Sequence, residues 1–168
     1  SMIIVRTYII KENSLSDAGI WEAAYRCALY FNLFFYMPIS IYYLPKLSKA
    51  VEKKEIQNHI FKALSFSIPL MITAIIIVNF TKSFIIPIIF STSFLALNKI
   101  LIIVLISESF RIIGYVFTTL LMAKEKLFIV IKNEIIYCST FVIGSLLMIE
   151  KENLLGISYS YLVANILF

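Results

Sequence analysis

The stretch Ile100–Met122 reads ILIIVLISESFRIIGYVFTTLLM and carries only two charges, Glu108 and Arg111, near its middle. Coiled as a helix, these 23 residues rise roughly 34 Å, enough to cross the hydrocarbon core of a bilayer. Three more apolar runs of similar size accompany it. The chain therefore reads as an all-α, polytopic bundle of transmembrane helices. Ionisable groups at membrane depth are costly, so where they occur they pair with one another or line a polar path. That points to a transporter rather than an anchor.

Composition agrees. Hydrophobic residues make up 61% of the chain and charged residues 15%, too small a charged share to wet the surface of a water-soluble domain. The net charge of +5 raises the question of nucleic acid. The lysines, however, lie in short loops between apolar runs and form no stripe with interleaved aromatics, so no nucleic-acid partner is expected. Cys27 and Cys138 fall inside apolar runs and read as unreactive core thiols. A charged leader followed by a small-residue cleavage site is not evident. The chain opens and closes within apolar stretches, which predicts a piece of a larger membrane protein.

Six spans are expected, at about 1–10, 20–44, 63–80, 95–122, 127–149 and 154–168, the first and last truncated. Ser16 and Asp17 before Gly19 read as the start of the second, and Pro38 as a break in it. Between the second and third spans, residues 45–62 combine five lysines with Val51, Ile56, Ile60 and Phe61 on one side. That pattern predicts an amphipathic helix lying at the cytoplasmic interface. Residues 84–90, with Pro87, read as a second interfacial segment. Loop charge orients the array. Lys46, Lys49, Lys53, Lys54, Lys62, Lys124 and Lys126 face only Glu52, Glu55 and Glu125 in two alternate loops. The other three loops balance four lysines against four acids. The positive-inside rule places the two lysine-rich loops in the cytoplasm, and short connections make successive spans antiparallel neighbours.

No metal cluster, catalytic triad, phosphate loop or paired acid dyad is legible. His59, the single histidine, falls in the charged segment and reads as a surface residue. Nothing in the chain equips a hydrolase or transferase, and neither a cofactor nor a metal is expected. Seven charges remain inside the spans: Arg6, Glu22, Arg26, Glu108, Arg111, Lys132 and Glu134. Glu22 and Arg26 are spaced i,i+4, and Glu108 and Arg111 i,i+3, so each pair can meet on one helix face. Two readings stand: self-neutralised pairs that pack one helix on another, or a hydrated cavity whose arginines face an anionic ligand. A planar guanidinium suits bidentate phosphate contact. Arg26, Arg6 and Arg111 are then the candidate pyrophosphate residues, and Glu22, Glu108 and Glu134 the candidate cavity or proton-coupling carboxylates. Lys132 and Glu134 fall on opposite sides of their helix, and Lys132 can snorkel to the interface.

Several stretches carry a resemblance in order along the chain: Gly19-Ile20-Trp21-Glu22-Ala23, Ser40 to Lys49, Ile89 to Phe94, Glu108 to Lys124 with Arg111, Gly114 and Tyr115, Glu134, and Gly156 to Tyr161. Through them the chain resembles Wzx-type polysaccharide flippases. These belong to the multidrug/oligosaccharidyl-lipid/polysaccharide exporter superfamily and have twelve spans. The resemblance implies that the six spans are the seventh to twelfth of such a transporter, its C-terminal lobe, in the bacterial inner membrane. It implies a substrate of the O-antigen or enterobacterial-common-antigen type, an oligosaccharide linked to undecaprenyl pyrophosphate. The partners implied are membrane lipids, an N-terminal lobe, and a polysaccharide polymerase and chain-length regulator. Related lipid II flippases place a cavity arginine at a point similar to Arg26. Glu22 stands where many relatives have glutamine, and Glu108 where aspartate is common.

Two alternatives stand beside this reading, and charge and loop length bear on them. A drug/cation antiporter of the same superfamily should have an acidic cavity, whereas four basic residues face three acidic ones inside these spans. A non-transporting membrane subunit, such as a polymerase, should carry a large periplasmic loop.

Overall fold

The computed structural model describes residues 2–90 and 94–168. Ser91, Thr92 and Ser93, part of one resembling stretch, lie outside the described residues, as do the side chains of Glu150, Lys151 and Glu152. Among the described residues the regular elements are helical: α1 (Met2–Glu12), α2 (Leu15–Pro38), a π-helical segment (Ile39–Tyr43), α3 (Leu44–Lys49), α4 (Lys53–Ile89), α5 (Leu97–Ala123) and α6 (Leu127–Ile166). Four stretches are long and apolar enough to cross a membrane, Leu15–Lys49, Lys53–Ile89, Leu97–Ala123 and Leu127–Ile149. The chain is a polytopic helical bundle.

One cap and three prolines account for most of the differences from the expected boundaries. α2 starts at Leu15 because Ser14, in extended geometry, accepts the Asp17 N–H and donates its hydroxyl to the Asp17 carboxylate at 2.9 Å. Ser14 is the cap, in place of Ser16. Pro38 does not end α2. The chain widens into the π-helical segment at Ile39–Tyr43, and the Ile39 N–H is shared between the Phe35 and Tyr36 carbonyls. A wider turn loosens the backbone after a residue that cannot donate.

Residues 45–62 form no separate interfacial helix. The chain breaks at Ala50, Val51 and Glu52, and Lys53 opens the 37-residue α4. Its apolar side from Ile56 and Ile60 continues in phase into the membrane stretch. Ala63, Ser67 and Met71, spaced four apart, are the strip that it buries. Pro69 and Pro87 fall inside the same helix, so 84–90 is its end rather than a second segment. Prolines are tolerated in such helices where neighbours and side chains answer the freed carbonyls, and Thr73 donates to the Pro69 carbonyl at 2.9 Å.

α5 is the axis of the bundle, packed against α2, α3, α4 and α6. The expected pairing of the second and third spans is therefore splayed, with α4 docked chiefly on α5. α2 approaches its neighbours through Ala18, Ala23, Ala24 and Ala28, all buried. Small side chains let helix axes come close where no hydrophobic force drives them together in lipid. Trp21 fills the space beyond them, its ring 5.8 Å from Tyr161 and 6.1 Å from Phe141. The outer face of α4 (Phe66, Ile72, Ile76, Phe80, Phe84) is exposed and apolar, the surface a lipid-facing helix presents.

α6 reverses direction inside its own length. Asn153 adopts φ 51°, ψ −131°, and the arm 154–166 folds back along Leu127–Ile149. Gly156 lies against Met148 and Gly144 against Ser160, pairs that converge as an antiparallel hairpin must. At the other end, Lys124 donates to the Ala50 carbonyl at 2.6 Å, tying the two lysine-rich loops together on one side of the bundle. Cysteines introduced at 46–62 and 124–126 should react with impermeant reagents only from the cytoplasmic side, and those at 11–17 and 150–153 only from the opposite side. Reversed labelling would overturn the orientation.

Candidate functional site

α5 carries the site because its two charges fall about half-way along it, at the depth where α2 and the returning arm of α6 also present polar groups. Glu108 is fully buried, at 0% exposure. One of its oxygens accepts from Asn32 Nδ2 of α2 and the other from Tyr161 Oη of α6. Buried beside it, Ser107 accepts from Asn165 Nδ2 at 2.8 Å.

Arg111, one turn further along α5, takes different partners. Its guanidinium stands 3.5 Å from Glu134 and lies over the Tyr137 ring at 4.0 Å and the Phe168 ring at 5.1 Å. The side chain is 19% exposed. A planar cation between aromatic faces gains from both the ring quadrupoles and exclusion of water. Beyond it, the Tyr36 and Tyr115 rings stack at 3.9 Å, and the Tyr115 hydroxyl is 2.7 Å from the Ser40 hydroxyl. The π-helical segment supplies Ser40 from the turn after Pro38.

The expected pairing of Glu108 with Arg111 is therefore not what forms. The i,i+3 spacing permits it, but tertiary partners on α2 and α6 satisfy Glu108 first, and Glu134 reaches Arg111 from α6. Glu22 and Arg26 do pair, at 3.1 Å between Oε1 and Nε, with the Arg26 side chain 66% exposed. Arg6 lies on the exposed face of α1. The structure thus brings Glu108, Arg111 and Glu134 into one neighbourhood and leaves Arg6 and Arg26 on open faces. Lys132 is exposed and Glu134 half-buried, on different sides of α6 as their spacing requires. His59 stands 3.8 Å from Glu55, and Cys27 and Cys138 are free thiols. Among the described residues, no group of three or more metal-ligating side chains occurs.

Sequence reading missed Asn32, Tyr161, Tyr137, Tyr36 and Ser40 as site residues. Asn32 left a signal: an amide at mid-span, flanked by Phe31 and Leu33, is as costly in lipid as its neighbours are cheap.

The middle of the bundle thus holds a buried carboxylate and an arginine held between Glu134 and two aromatic rings. The chain is similar to the lipid III flippase of Escherichia coli strain K12 and to that of Shigella flexneri. Each is 28% identical over 98 residues, a stretch covering 58% of this chain and 24% of the relative. The matched stretch is thus about a quarter of the length of these curated relatives. No family model matches the chain, and no solved structure does. Four membrane-length helices and distant similarity to transporters of flippase type make this a multi-pass inner-membrane protein.

Proposed function

We propose that this chain forms the C-terminal half of a flippase that moves oligosaccharide repeat units, linked to undecaprenyl pyrophosphate, across the bacterial inner membrane. The observation that carries the reading is the polar cluster on α5 at mid-depth, where alternating-access transporters place their substrate and ion sites. In this scheme two lobes rock around the cavity. Arg26, exposed on α2, and Arg6 on α1 face the pyrophosphate from the open side of the lobe. Arg111 is held by Glu134 and Tyr137 and is freed toward substrate when that pair opens. Glu108 is the coupling carboxylate, exchanging its Asn32 and Tyr161 partners for a proton during the cycle. The tyrosines and Ser40 meet sugars, and the prenyl tail stays in lipid. The N-terminal lobe, a polymerase and a chain-length regulator are the partners this function requires.

Arg26 provides the test, read as export of the lipid-linked repeat unit by the full-length protein at matched membrane levels. Arg26→Lys keeps the charge but removes the bidentate fork, and should lose most of the activity. If Arg26 only neutralises Glu22, lysine at the same spacing should serve nearly as well. Glu22→Gln with Arg26→Gln should then also be tolerated, because both charges leave together. Near-normal export by that double variant would remove Arg26 from the site.

A further inference from the structure

The turn after α1, the start of α5 and the reversal in α6 converge at the end of the bundle away from Lys124, and they line an open cleft of about 390 Å³. The turn after α1 contributes Glu12, Asn13 and Asp17, the first turn of α5 contributes Lys99 and Ile100, and the reversal in α6 contributes Asn153 with Leu154 and Leu155. The volume lies within the range of small-molecule sites, about 300–1,000 Å³. None of these residues belongs to the cluster around Glu108.

We propose that this mouth is a carbohydrate subsite that holds an uncharged sugar of the transported unit; the proposal rests on the flippase reading. The lining selects the ligand. Glu12 and Asp17 accept only, Lys99 donates only, and Asn13 and Asn153 do both, while Ile100, Leu154 and Leu155 offer an apolar wall. Hydroxyl groups, each a donor and an acceptor on a ring with C–H faces, match that mixture. A phosphate would meet two carboxylates, and a metal cation would meet Lys99. A nucleobase would need an aromatic face, and no aromatic residue lines the cleft among the described residues. Asn13 is half-buried on this wall. Asp17 is already oriented: its Oδ2 accepts from Ser14 Oγ, which leaves Oδ1 for a ligand.

The spacing fits the rest of the molecule. From Lys99 to Arg111 α5 rises roughly 18 Å, farther than one sugar ring reaches from a pyrophosphate held at mid-depth. The mouth therefore meets the sugars distal to the pyrophosphate, and the first sugar stays below it.

The experiment uses the full-length protein in vesicles with two lipids, undecaprenyl pyrophosphate carrying the complete repeat unit and the same lipid carrying its first sugar alone. Asn13→Ala and Lys99→Gln should each slow the complete unit by about tenfold, the loss of one or two good hydrogen bonds. The single-sugar lipid should move as in the unsubstituted protein. Equal slowing of both lipids, or of neither, overturns the subsite. A second readout is independent of transport. With Lys99→Cys, the free oligosaccharide of the repeat unit should slow alkylation by an impermeant maleimide, and an unchanged rate would also overturn it. If the unsubstituted protein moves neither lipid, the flippase reading fails, and the alkylation arm still decides whether the mouth binds sugar.

Discussion

Glu108→Ala is expected to abolish transport and to lower the amount of folded protein in the membrane. The substitution strips the acceptor from both Asn32 Nδ2 and Tyr161 Oη, which lie in the interior of the bundle. A buried donor left unpaired costs about 1–3 kcal/mol, so two of them approach the whole stability of a small domain. It also opens a void the size of the lost side chain. Glu108→Gln separates folding from chemistry. The amide keeps the shape and one acceptor, so the protein should accumulate within about twofold of normal, the scale of one lost hydrogen bond. Its transport should nonetheless fall by about a hundredfold, because an amide cannot cycle a proton at accessible pH. Tyr161→Phe removes one hydrogen bond and leaves the carboxylate, so its transport should fall far less than that of Glu108→Gln. Normal levels and normal export by Glu108→Ala would show the network to be dispensable. Export by Glu108→Gln at the normal rate would leave the network structural and move coupling elsewhere.

The second large effect belongs to Gly156. A Cβ built there would lie 2.5 Å from the Met148 carbonyl oxygen, and that obstacle is backbone. The two arms of α6 cannot keep their separation with any larger residue, so Gly156→Val should open the hairpin and displace Tyr161 from Glu108. Overpacking of this kind costs about 1–3 kcal/mol even where side chains can yield, and here they cannot. Thermal unfolding in detergent should show the loss as a midpoint lowered by several degrees. Gly114→Ala is the graded comparison. There the nearest atom, at 2.9 Å, is the Phe168 ring, which can turn aside, so the shift should be smaller. Gly19→Ala is the control, since its nearest neighbour is the Phe94 ring at 4.0 Å and no loss is expected. A Gly156→Val protein as stable as the Gly19→Ala protein would refute the close approach of the two arms.

Much of the architecture was legible because bilayer length imposes itself on composition. Glu108 and Arg111 at the centre of an apolar run singled out α5, and the structure places both inside the bundle. Pairing was not legible. Spacing along one helix says which residues can meet, and it said so correctly for Glu22 and Arg26, where open surface offers no competitor. For Glu108 the competitors come from residues 76 and 53 positions away, and no local pattern encodes them. The segment 45–62 misled for a related reason. Its charges and apolar side fit an interfacial helix and the first three turns of a long one equally well, and only the absence of a stop signal between Lys53 and Pro69 distinguishes them. Asn153 likewise shows how a reversal can occur without glycine or proline, where a non-glycine residue takes a positive φ.

The π-helical segment after Pro38 has a mechanical consequence. Ile39–Tyr43 spends an extra residue on one turn, so the rows of side chains before and after it are out of phase by roughly 100°. Leu47, beyond the segment, is buried at 1%, and Ser40, within it, meets the Tyr115 hydroxyl. The proline-proximal rod is in effect two rods with separately set rotations, joined by a spare residue. Sliding that residue one position toward either end would re-index the turn without breaking the chain or lengthening the membrane crossing.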